Sequence, residues 1–567
     1  MPRAIDLVCN ILVEAGIDKV FQLPGGYTQF LIDGIRKKKG IEAITARHEG
    51  SASAMADIYG RITGKPGVLM GQGPWIGSNG TFGIIEAYEA GSPMVIITDV
   101  SDWDNMNQQG TYQCGTGDYG TIDLPNIFKS MTKYMTFATT PREVVYGVQL
   151  AIKHAVSGRP GPTCVLCRKN ALGGTVDDLS ELDPPIYPLK GLLNVKPPKI
   201  SDADAKEVAK MLINAENPIL ACGRGIHVSK AHEEVKEIAE LLGMPVATSY
   251  MGKSSIPETH DLALGVMGGR GQPLATKMIG NADVILAIGT CLAPENTNNC
   301  SKDFIDAKTQ NIIQIDIESR NIGWTYPVEL GVVSDAKIAL RKVIEEIKNQ
   351  KPDIDVEGRM EKLNKLKDDP ENKFFTNEYY DSDEEPIEPE RIVKELNDVI
   401  GDDDLIVLDS GNNRIWFCSL FKSKKARQII APGGAAGVAW GANASIAAQL
   451  LYPERNVIST VGDGGMLMAL YGMETLKAYD IPLMYVVFNN SSLGNVRDFF
   501  SRRSRKLAEY PDTNFAKIAE AIGISSIRVE KIDELRPALE KGLKFDGPIV
   551  IDIVTNRASH LRVRSSL

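Results

Sequence analysis

Two short polar segments carry residue types suited to holding a metal-bound diphosphate. Gly462-Asp463-Gly464-Gly465 follows a predicted strand over Val457–Val461, and Asn489-Asn490 ends a second predicted strand over Leu483–Phe488. Glycines let a backbone approach a phosphate closely, and the N-terminus of a following helix offers unpaired N–H donors. Mg²⁺ prefers oxygen ligands, which a carboxylate, an amide oxygen and a loop carbonyl can supply. Either segment alone would be an ordinary turn, but the pair predicts a diphosphate and magnesium site.

The elements around these segments are those of a parallel α/β sheet. A helix is predicted over Met466–Ala478, between the two strands, which makes a strand–helix–strand unit. In open α/β sheets, ligands bind beyond the carboxyl ends of the strands. Asp463 and Asn490 both fall there, so we expect them at one edge of one sheet.

The composition is that of an ordinary globular protein. The chain has 567 residues, 43% of them hydrophobic and 24% charged, which excludes a disordered or fibrous chain. Its net charge of −10 argues against a nucleic-acid partner. Eight scattered cysteines with a single C-x-x-C, Cys164 and Cys167, indicate buried thiols in a reducing compartment. No apolar run is long enough to span a membrane and the start lacks signal-peptide features, so we expect a cytoplasmic protein.

Apolar runs that alternate with helical periods divide the chain into three similar blocks, over residues 1–172, 201–347 and 389–555. The predicted strands include Ile41–Thr45, Gly67–Met70, Pro93–Thr98, Thr163–Leu166, Pro218–Ala221, Val284–Ile288, Ile312–Ile317, Leu405–Leu408 and Ile549–Ile553. Fully apolar strands between helices indicate parallel sheets that are covered on both faces. The predicted fold class is therefore α/β, with three doubly wound parallel-sheet domains. A proline-rich linker (174–200), a charged, solvated connector (349–388) and a basic tail (556–567) lie outside the blocks.

The stretch from Gly462 to Asn490 resembles the cofactor-binding motif of thiamine diphosphate (ThDP) enzymes, in which Gly-Asp-Gly is followed at a distance by Asn-Asn. The resemblance implies that Asp463, Asn490 and the backbone oxygen of Ser492 bind Mg²⁺. Further contacts with the cofactor are implied for Gly462, Gly464, Gly465 and Leu493. It also implies that the three blocks are a pyrimidine-binding domain, a central nucleotide-type domain and a diphosphate-binding domain.

Block one contains the acidic residue that such an enzyme needs. Arg47-His48-Glu49-Gly50-Ser51-Ala52 follows the predicted strand over 41–45, and its small residues would start a helix. ThDP enzymes have a glutamate in this setting, which hydrogen-bonds the pyrimidine ring and activates the cofactor. The resemblance implies this catalytic role for Glu49, whereas His48 is interpreted as structural.

Further matches to the family are spread over the chain. Leu23-Pro24-Gly25-Gly26 is similar to a Pro-Gly-Gly loop of acetolactate synthases, and Asp409-Ser410-Gly411-Asn412-Asn413 stands where relatives have a loop beside the diphosphate. Gly433 to Val438 matches a glycine-rich turn whose large apolar residue, here Val438, supports the bent cofactor. The resemblance thus implies cofactor contacts by Gly25, Gly26, Gly411, Asn412 and Val438.

Among ThDP enzymes, the chain resembles acetolactate synthases most. Its six histidines include no adjacent pair, which argues against an enzyme of the pyruvate decarboxylase type. Asn489 to Val496 is similar to their Asn-Asn-x-x-Leu-Gly-x-Val, Tyr112-Gln113 to a Phe-Gln pair, and Phe499 to a substrate-selecting tryptophan. Catalytic or pocket roles are implied for Tyr112, Gln113, Trp75 and Phe499. The implied reaction decarboxylates pyruvate and adds the enamine to a second carbonyl compound, in a homodimer or homotetramer.

Other features leave alternative substrates open. Gly71 to Asn79 departs from the Gly-Pro-Gly-Ala-Thr-Asn of acetolactate synthases, and the segment Trp103–Gly120 is longer than usual. The nearest rivals are the CoA-thioester members of the family, 2-hydroxyacyl-CoA lyases and oxalyl-CoA decarboxylases. In such an enzyme the basic tail residues Arg557, Arg562 and Arg564 would bind CoA phosphates.

The central block raises a separate question about nucleotides. Gly289 to Ala293 lacks the arginine-rich stretch that contacts FAD in acetolactate synthases. Gly223-Arg224-Gly225 and Asp316-Ile317-Glu318 could still hold FAD, ADP or CoA. A regulatory or degenerate relative that binds nucleotide only through this block is the non-enzyme alternative.

Overall fold

The computed structural model describes residues 2–25, 28–102, 113–118, 120–176 and 185–563. It separates into two compact units that do not follow the chain order. Unit 1 comprises Met1–Lys196, Pro432–Glu454 and Gly465–Leu483, and unit 2 comprises Pro197–Ala431, Arg455–Gly464 and Met484–Leu567. Two segments of the third block therefore belong to unit 1.

Unit 1 is built on a six-stranded parallel sheet. Its strands are β1 (Lys19–Gln22), β2 (Glu42–Thr45), β3 (Gly67–Gly71), β4 (Met94–Asp99), β5 (Tyr134–Ala138) and β6 (Pro162–Cys167). They lie in the order β2-β1-β3-β4-β6-β5. Strands β3, β4 and β6 are buried along their whole length, which explains their uninterrupted apolar sequences.

Nine helices belong to the described part of the first 196 residues. They are α1 (Ala4–Glu14), α2 (Gln29–Lys37), α3 (Glu49–Thr63), α4 (Gly73–Ile76), α5 (Thr81–Ala90), α6 (Leu124–Met131), α7 (Pro141–Val156), α8 (Lys169–Gly173) and α9 (Leu189–Leu193). His48 caps α3 by accepting a hydrogen bond from the Gly50 N–H at 3.0 Å, and Gly64, with a φ of 73°, ends it. The small residues of α3 allow close packing, since a Cβ at Gly60 would lie 2.2 Å from the Pro93 carbonyl oxygen.

The second sheet lies in unit 2 and is also six-stranded and parallel. Its strands are β7 (Pro218–Cys222), β8 (Val246–Thr248), β9 (Ala263–Val266), β10 (Val284–Ile288), β11 (Asn311–Asp316) and β12 (Leu330–Val333). Its helices are α10 (Asp202–Asn214), α11 (Gly225–Ser229), α12 (His232–Leu242), α13 (Pro273–Gly280), α14 (Ala336–Gln350) and α15 (Val356–Asp368). The order β12-β11-β10-β7-β8-β9 is that of dinucleotide-binding sheets, with the reversal between β7 and β10.

The third sheet repeats the strand order of the first. Its strands are β13 (Leu405–Leu408), β14 (Ile429–Ile430), β15 (Val457–Gly462), β16 (Met484–Asn489), β17 (Ser525–Val529) and β18 (Ile549–Val554). They lie in the order β14-β13-β15-β16-β18-β17, all parallel, within unit 2. The order reverses between β13 and β15, so the loops after these two strands meet at a ligand-binding position.

The helices of the third block are divided between the units. They are α16 (Pro389–Val399), α17 (Asn412–Leu420), α18 (Trp440–Leu451), α19 (Asp463–Met468), α20 (Leu470–Tyr479), α21 (Gly494–Phe499), α22 (Phe515–Ile522) and α23 (Ile532–Leu543). Helices α18 and α20 belong to unit 1, where α18 packs against α3. Short 3-10 helices occur at Tyr250–Gly252, Pro294–Asn296, Ser319–Asn321, Pro370–Asn372, Arg505–Ala508 and His560–Val563.

The predicted α/β class with three doubly wound parallel sheets is confirmed, but some predicted segments are wrong. The helix predicted over 466–478 is two helices, because Ala469 interrupts it with a φ of −113° and a ψ of 9°. Helix α19 begins at Asp463 itself, so Gly464 and Gly465 lie in its first turn rather than in a loop. The connector predicted over 349–388 is not simply solvated, since it forms α15 and buries Phe375. The linker over 174–200 contains α9.

Within the described residues, none of the helices is long and apolar enough to cross a membrane. The C-x-x-C cysteines, Cys164 and Cys167, both lie in strand β6 and are buried there. Burial raises the pKa of both thiols well above the usual range, so they stay protonated and unreactive.

Candidate functional site

The first candidate site lies in unit 2, where the order of the third sheet reverses. Strand β13 leads through Gly411 into α17, and Gly411 has a φ of 107° that favours glycine. Strand β15 leads directly into α19 at Asp463. Gly411 and Asn412 therefore follow β13, and Gly462 and Asp463 lie at the end of the neighbouring β15.

Asp463 is a buried carboxylate that is held by three neutral donors. Its Oδ1 accepts hydrogen bonds from the Gly464 N–H and the Tyr510 hydroxyl, both at 2.8 Å, and its Oδ2 accepts one from the Ser492 N–H at 3.2 Å. Burial raises the pKa of Asp463, although these hydrogen bonds oppose the shift. A bound cation would favour the ionised form and relieve the cost of burying it.

The two asparagines that follow β16 have different surroundings. Asn489 is engaged, because its Nδ2 donates to the Thr513 carbonyl at 2.8 Å and to Asp552 at 2.9 Å. The Oδ1 atoms of both Asn489 and Asn490 are buried and have no hydrogen-bond partner. A buried acceptor without a partner is costly unless a ligand satisfies it. Either amide oxygen therefore suits a ligand, and the choice of Asn490 as the metal ligand rests on the resemblance of the motif.

The loop after Asn490 closes over the first turn of α19. Ser491 has a φ of 52°, and the Leu493 side chain packs so closely on Gly464 that a Cβ there would lie 2.5 Å from it. A Cβ at Gly462 would meet nothing within 4 Å, so this glycine borders open space. Asp463, Asn490 and the Ser492 carbonyl offer the oxygen ligand types that Mg²⁺ prefers. Gly465, at the same turn, lies in the part of α19 that belongs to unit 1.

The second candidate site lies in unit 1, at the N-terminus of α3. Glu49 is 8% exposed, and its Oε2 accepts a hydrogen bond from Asn79 Nδ2 at 3.1 Å. The neighbouring His48 stacks on Tyr471 with ring centroids 4.6 Å apart, in addition to capping the helix. Asn79 thus fixes one oxygen of the carboxylate, and the structural role predicted for His48 agrees with its contacts.

Gly25 and Gln113 come together in unit 1 through Gln72, which lies in the segment that departs from acetolactate synthases. Gln72 Nε2 donates to Gln113 Oε1 at 2.9 Å and to Ser101 Oγ at 3.1 Å. A Cβ at Gly25 would lie 3.3 Å from Gln72 Oε1. Two other predicted residues, Gly26 and Tyr112, lie outside the described residues.

A buried carboxylate holds the loop that carries Val438. Glu86 accepts hydrogen bonds from the N–H groups of Gly433 and Gly434, each at 3.1 Å, and from that of Ala436 at 2.7 Å. Ala436 and Ala439 have φ values of 51° and 78°, a conformation that costs alanine about 1–2 kcal/mol. Val438 itself is 38% exposed. Glu86 therefore stabilises a strained loop that presents an apolar side chain.

The Glu86 carboxylate belongs to a charged network that is entirely buried. Arg61 pairs with Glu86 at 2.6 Å and with Asp57 at 2.8 Å, and its guanidinium lies 4.4 Å from the Trp440 ring centroid. Trp440 Nε1 donates to Asp57 at 2.9 Å. Burial alone would raise the pKa of Glu86, but Arg61 and the loop N–H groups outweigh it and hold the pKa below its ordinary value.

The two aromatic residues predicted for a substrate pocket are both exposed. Trp75 is 45% exposed on α4 of unit 1, and Phe499 is 60% exposed at the end of α21 in unit 2. In unit 2, the guanidinium of Arg270 lies 5.7 Å from the Phe499 ring centroid.

The glycines of the central block serve to pack two loops together. A Cβ at Gly223 would lie 2.1 Å from the Gly289 carbonyl oxygen, and one at Gly225 would lie 2.5 Å from Gly289 Cα. Glycine therefore lets the loops after β7 and β10 touch. At the end of β11, Glu318 pairs with Arg320 at 2.9 Å. These contacts account for both sequence patterns without a nucleotide.

The basic tail is tied to unit 2 by internal contacts. Arg562 binds Glu388 and Glu390, and its guanidinium lies 3.8 Å from the Tyr379 ring centroid. Arg557 Nε donates to the Asn490 carbonyl oxygen at 3.1 Å. Arg564 lies outside the described residues. Arg562 would have to leave two glutamates in order to bind a CoA phosphate.

Sequence reasoning missed the partners that hold the candidate residues in place, which include Asn79, Glu86, Asp498, Tyr510 and His560. All of them are distant in sequence from the residues they contact. Asn79 had a signal, because it ends the segment in which the chain departs from acetolactate synthases, and His560 had one as a member of the basic tail.

Comparison with known proteins places the chain in a family. Three family models of thiamine pyrophosphate enzymes match it in succession: the N-terminal TPP binding domain over residues 3–118, the central domain over 205–343 and the C-terminal TPP binding domain over 409–553. These matches confirm the family that the motifs predicted.

Similar proteins cover nearly the whole chain. The probable acetolactate synthase large subunit of Methanocaldococcus jannaschii is 30% identical over 99% of this chain and 93% of the relative. The probable acetolactate synthase large subunit of Methanococcus aeolicus is 31% identical over 96% of this chain and 90% of the relative. The acetolactate synthase isozyme 3 large subunit of Escherichia coli is 26% identical over 99% of this chain and 96% of the relative. The chain therefore belongs to the thiamine pyrophosphate enzyme family and is an enzyme related to acetolactate synthase large subunits.

Proposed function

We propose that the protein is a ThDP- and Mg²⁺-dependent carboligase that decarboxylates a small 2-oxoacid and joins the remaining carbon unit to a second carbonyl compound. The observation that carries this proposal is the buried carboxylate of Asp463, after β15 where the third sheet reverses its order, together with the unpartnered amide oxygen of Asn490 after the neighbouring β16. The names of the similar proteins support acetolactate as the product from pyruvate.

Each predicted residue receives a role that its contacts allow. Asp463, Asn490 and the Ser492 carbonyl would hold Mg²⁺, which neutralises a diphosphate. When bound, ThDP supplies the electron sink that accepts the electrons left behind as CO₂ departs. Because Asn79 contacts Glu49 Oε2, we assign the hydrogen bond to the pyrimidine ring of the cofactor to Oε1. Val438 would support the cofactor from its loop.

The pocket residues would bind the substrate and keep water away. Gln72 donates to Gln113 Oε1, so the Nε2 of Gln113 is the group that can donate to a substrate oxygen. Trp75 in unit 1 and Phe499 in unit 2 each supply exposed aromatic surface, and we assign Tyr112 to the substrate pocket by resemblance. Excluding water favours carbon–carbon bond formation over protonation, which would release an aldehyde instead.

Two alternatives have less support. Cleavage of a CoA thioester would require phosphate ligands, and Arg562 is already paired with two glutamates. FAD, ADP or CoA at the central sheet remains a proposal without a specific observation in its favour, because Gly223, Gly225 and Gly289 are explained by loop packing. We also propose a homo-oligomer, on the resemblance to ThDP enzymes whose sites need both terminal domains.

The deciding experiment is a substrate panel with product identification. The purified protein, supplied with Mg²⁺ and ThDP, is incubated with pyruvate, 2-oxobutyrate, oxalyl-CoA and a 2-hydroxyacyl-CoA. We expect acetolactate or a related 2-hydroxy-2-alkyl-3-oxoacid from the 2-oxoacids, with CO₂ release. Exclusive turnover of a CoA thioester would overturn the proposal, and the absorbance spectrum of the purified protein would reveal bound flavin.

A further inference from the structure

A carboxylate near the C-terminus of the chain gathers three hydrogen bonds from two distant segments. Asp498, on α21, accepts at Oδ2 from His560 Nδ1 at 2.6 Å, from the His560 N–H at 3.0 Å and from Asn412 Nδ2 at 3.1 Å. Asp498 and Asn412 are each 9% exposed and His560 is 1% exposed, and all three belong to unit 2. The tail is thereby connected to the loop after β13.

This arrangement fixes the orientation of the Asn412 amide. Its Nδ2 is held by Asp498, whereas its Oδ1 is buried and has no partner. A Cβ at Gly494 would lie 2.9 Å from Asn412 Nδ2 and 3.2 Å from Asn490 Nδ2, so both amides border the same glycine. The amide oxygen of Asn490 is also without a partner. Two amides whose oxygens lack a partner therefore lie beside the same glycine, which indicates a ligand that offers donors or positive charge.

A negative charge on Asp498 helps it to hold the Asn412 amide and His560. Burial alone would raise its pKa, but the hydrogen bonds from His560 and Asn412 outweigh that effect and hold the pKa below its ordinary value. An ionised Asp498 accepts from both neighbours at once, which a protonated carboxyl would do less well.

The tail has a second, independent connection to the site. Arg557 Nε donates to the carbonyl oxygen of Asn490, and its guanidinium lies 3.4 Å from Glu509. The ring of His560 also lies 5.6 Å from that of Phe499, the residue predicted to line the substrate pocket. The segment over 557–560 therefore contacts Asn490 directly, Asn412 through Asp498, and the ring of Phe499.

We propose that His560 and Asp498 are positioning residues that hold Asn412 with its amide oxygen turned into the diphosphate and metal site. The inference rests on the proposed function and extends it, because it makes the C-terminal tail part of the cofactor site rather than a clamp for CoA phosphates.

The test uses the full-length protein freed of cofactor, with ThDP binding measured by calorimetry at saturating Mg²⁺. Removing a hydrogen bond to a charged group inside a protein weakens an interaction by about tenfold or more. We expect His560→Ala and Asp498→Asn to lose about that factor in ThDP affinity. His560→Asn, whose Nδ2 can replace the Nδ1 donor, should bind ThDP within about threefold of the unsubstituted protein. His260→Ala, which removes a surface histidine paired with Glu240 in the same unit, is the matched control.

A second measurement separates positioning from general destabilisation. Hydrogen exchange of the peptide over 409–416, in the absence of cofactor, should be faster in His560→Ala and Asp498→Asn but unchanged in His260→Ala and nearly unchanged in His560→Asn. Unaltered ThDP affinity together with unaltered exchange in His560→Ala would overturn the inference. Equal losses of ThDP affinity in His560→Asn and His560→Ala would also overturn the inference, because the imidazole ring and not its Nδ1 donor would then determine the affinity. Should the unsubstituted protein fail to bind ThDP, the proposed function fails, and the exchange data alone still decide whether His560 holds this loop.

Discussion

At the scale of single residues, the buried carboxylate of Asp463 is the most informative group. Only neutral donors hydrogen-bond it, and no ion pair to it occurs among the described residues. An ionised carboxylate in a desolvated position is costly without a compensating charge. A divalent cation that also binds Asn490 Oδ1 would supply that charge and satisfy an otherwise unpaired oxygen. The position of Asp463 thus argues for a metal more strongly than its sequence motif does alone.

We expect Asp463→Ala to abolish Mg²⁺-dependent binding of ThDP, because the substitution removes the only anionic ligand of the proposed set. Titration of the protein with ThDP, with and without Mg²⁺, measures this effect. Asp402→Ala, an exposed aspartate in unit 2, is the control and should bind normally. Unchanged ThDP affinity in Asp463→Ala would mean that the metal lies elsewhere.

Glu49→Gln should leave ThDP binding nearly intact but lower turnover by about 10²–10⁴-fold, the usual contribution of a general acid or base. Gln keeps an oxygen that Asn79 Nδ2 can contact, so the local structure should survive. Steady-state rates with bound cofactor provide the measurement, and Glu42→Gln, at an exposed position on β2, serves as the control. Near-normal turnover in Glu49→Gln would disprove the assignment.

At the scale of elements, the sequence predicted strands better than helices and loops. The predicted bounds of Val284–Ile288 and Leu405–Leu408 coincide with β10 and β13, because polar or turn-forming residues flank these apolar runs. The break at Ala469 between α19 and α20 had no local signal, since alanine favours a helix. Tertiary packing determines that break, and a periodic pattern does not record it.

In the candidate site, too, the sequence predicted what depends on a local pattern and missed what depends on packing. Asp463, Asn490 and Glu49 were predictable because each belongs to a short motif at the end of a strand. Their partners were not, because the hydrogen bonds run from Tyr510 to Asp463 across 47 residues and from His560 to Asp498 across 62. Glu86 is 347 residues from Gly433. Contacts over such separations depend on the fold, and a single sequence contains no pattern that reveals them.

The loop over 433–438 offers a test of one such contact. Glu86→Gln would place an amide donor against backbone N–H groups and leave Arg61 with one partner fewer, and breaking a buried ion pair costs about 3–5 kcal/mol. We expect faster hydrogen exchange in the peptide over 432–439 and weaker ThDP binding. Glu357→Gln, at an exposed position on α15, is the control. Unchanged exchange in this peptide would show that Glu86 does not hold the loop.

Strand β4 ends in a carboxylate that should make unit 1 sensitive to pH. Burial raises the pKa of Asp99 to about 6, although the Gly73 N–H donates to its Oδ1 at 3.0 Å. The folded state therefore retains a proton that the unfolded state has lost, so stability should decrease as pH rises from about 4 to 6 and stay level above. A shift of two units corresponds to roughly 3 kcal/mol.

Asp99→Asn should remove this pH dependence, because the amide oxygen can still accept from Gly73 and no charge is buried. Melting temperatures between pH 4 and 8 measure the effect, and the variant should gain most above pH 6. Asp402→Ala is the control, and its melting temperature should change with pH as that of the unsubstituted protein does. A variant that melts with the same pH slope would show that Asp99 does not titrate in this range.

At the scale of the whole molecule, the two halves of the proposed chemistry belong to different units. Glu49 lies in unit 1, whereas Asp463 and Asn490 lie in unit 2. The first and third sheets share one strand order, as expected for two domains that bind the two ends of one cofactor. ThDP enzymes combine these domains from two chains, and we therefore propose that the smallest active form is a homodimer.

Mixing two inactive variants tests this proposal directly. Suppose that each site takes residue 49 from one chain and residue 463 from the other. A heterodimer of Glu49→Gln and Asp463→Ala chains then has one site with both native residues and one site with neither. Random pairing would then restore roughly a quarter of the native activity, since half of the dimers are mixed and half of their sites are intact. If each site lay within one chain, every site would carry one defect and no activity would return. Differently tagged chains, co-expressed and purified through both tags, isolate the heterodimer and should show about half of the native rate. Tagged homodimers of each variant are the controls, and an inactive, correctly folded heterodimer or a fully active monomer would contradict the proposal.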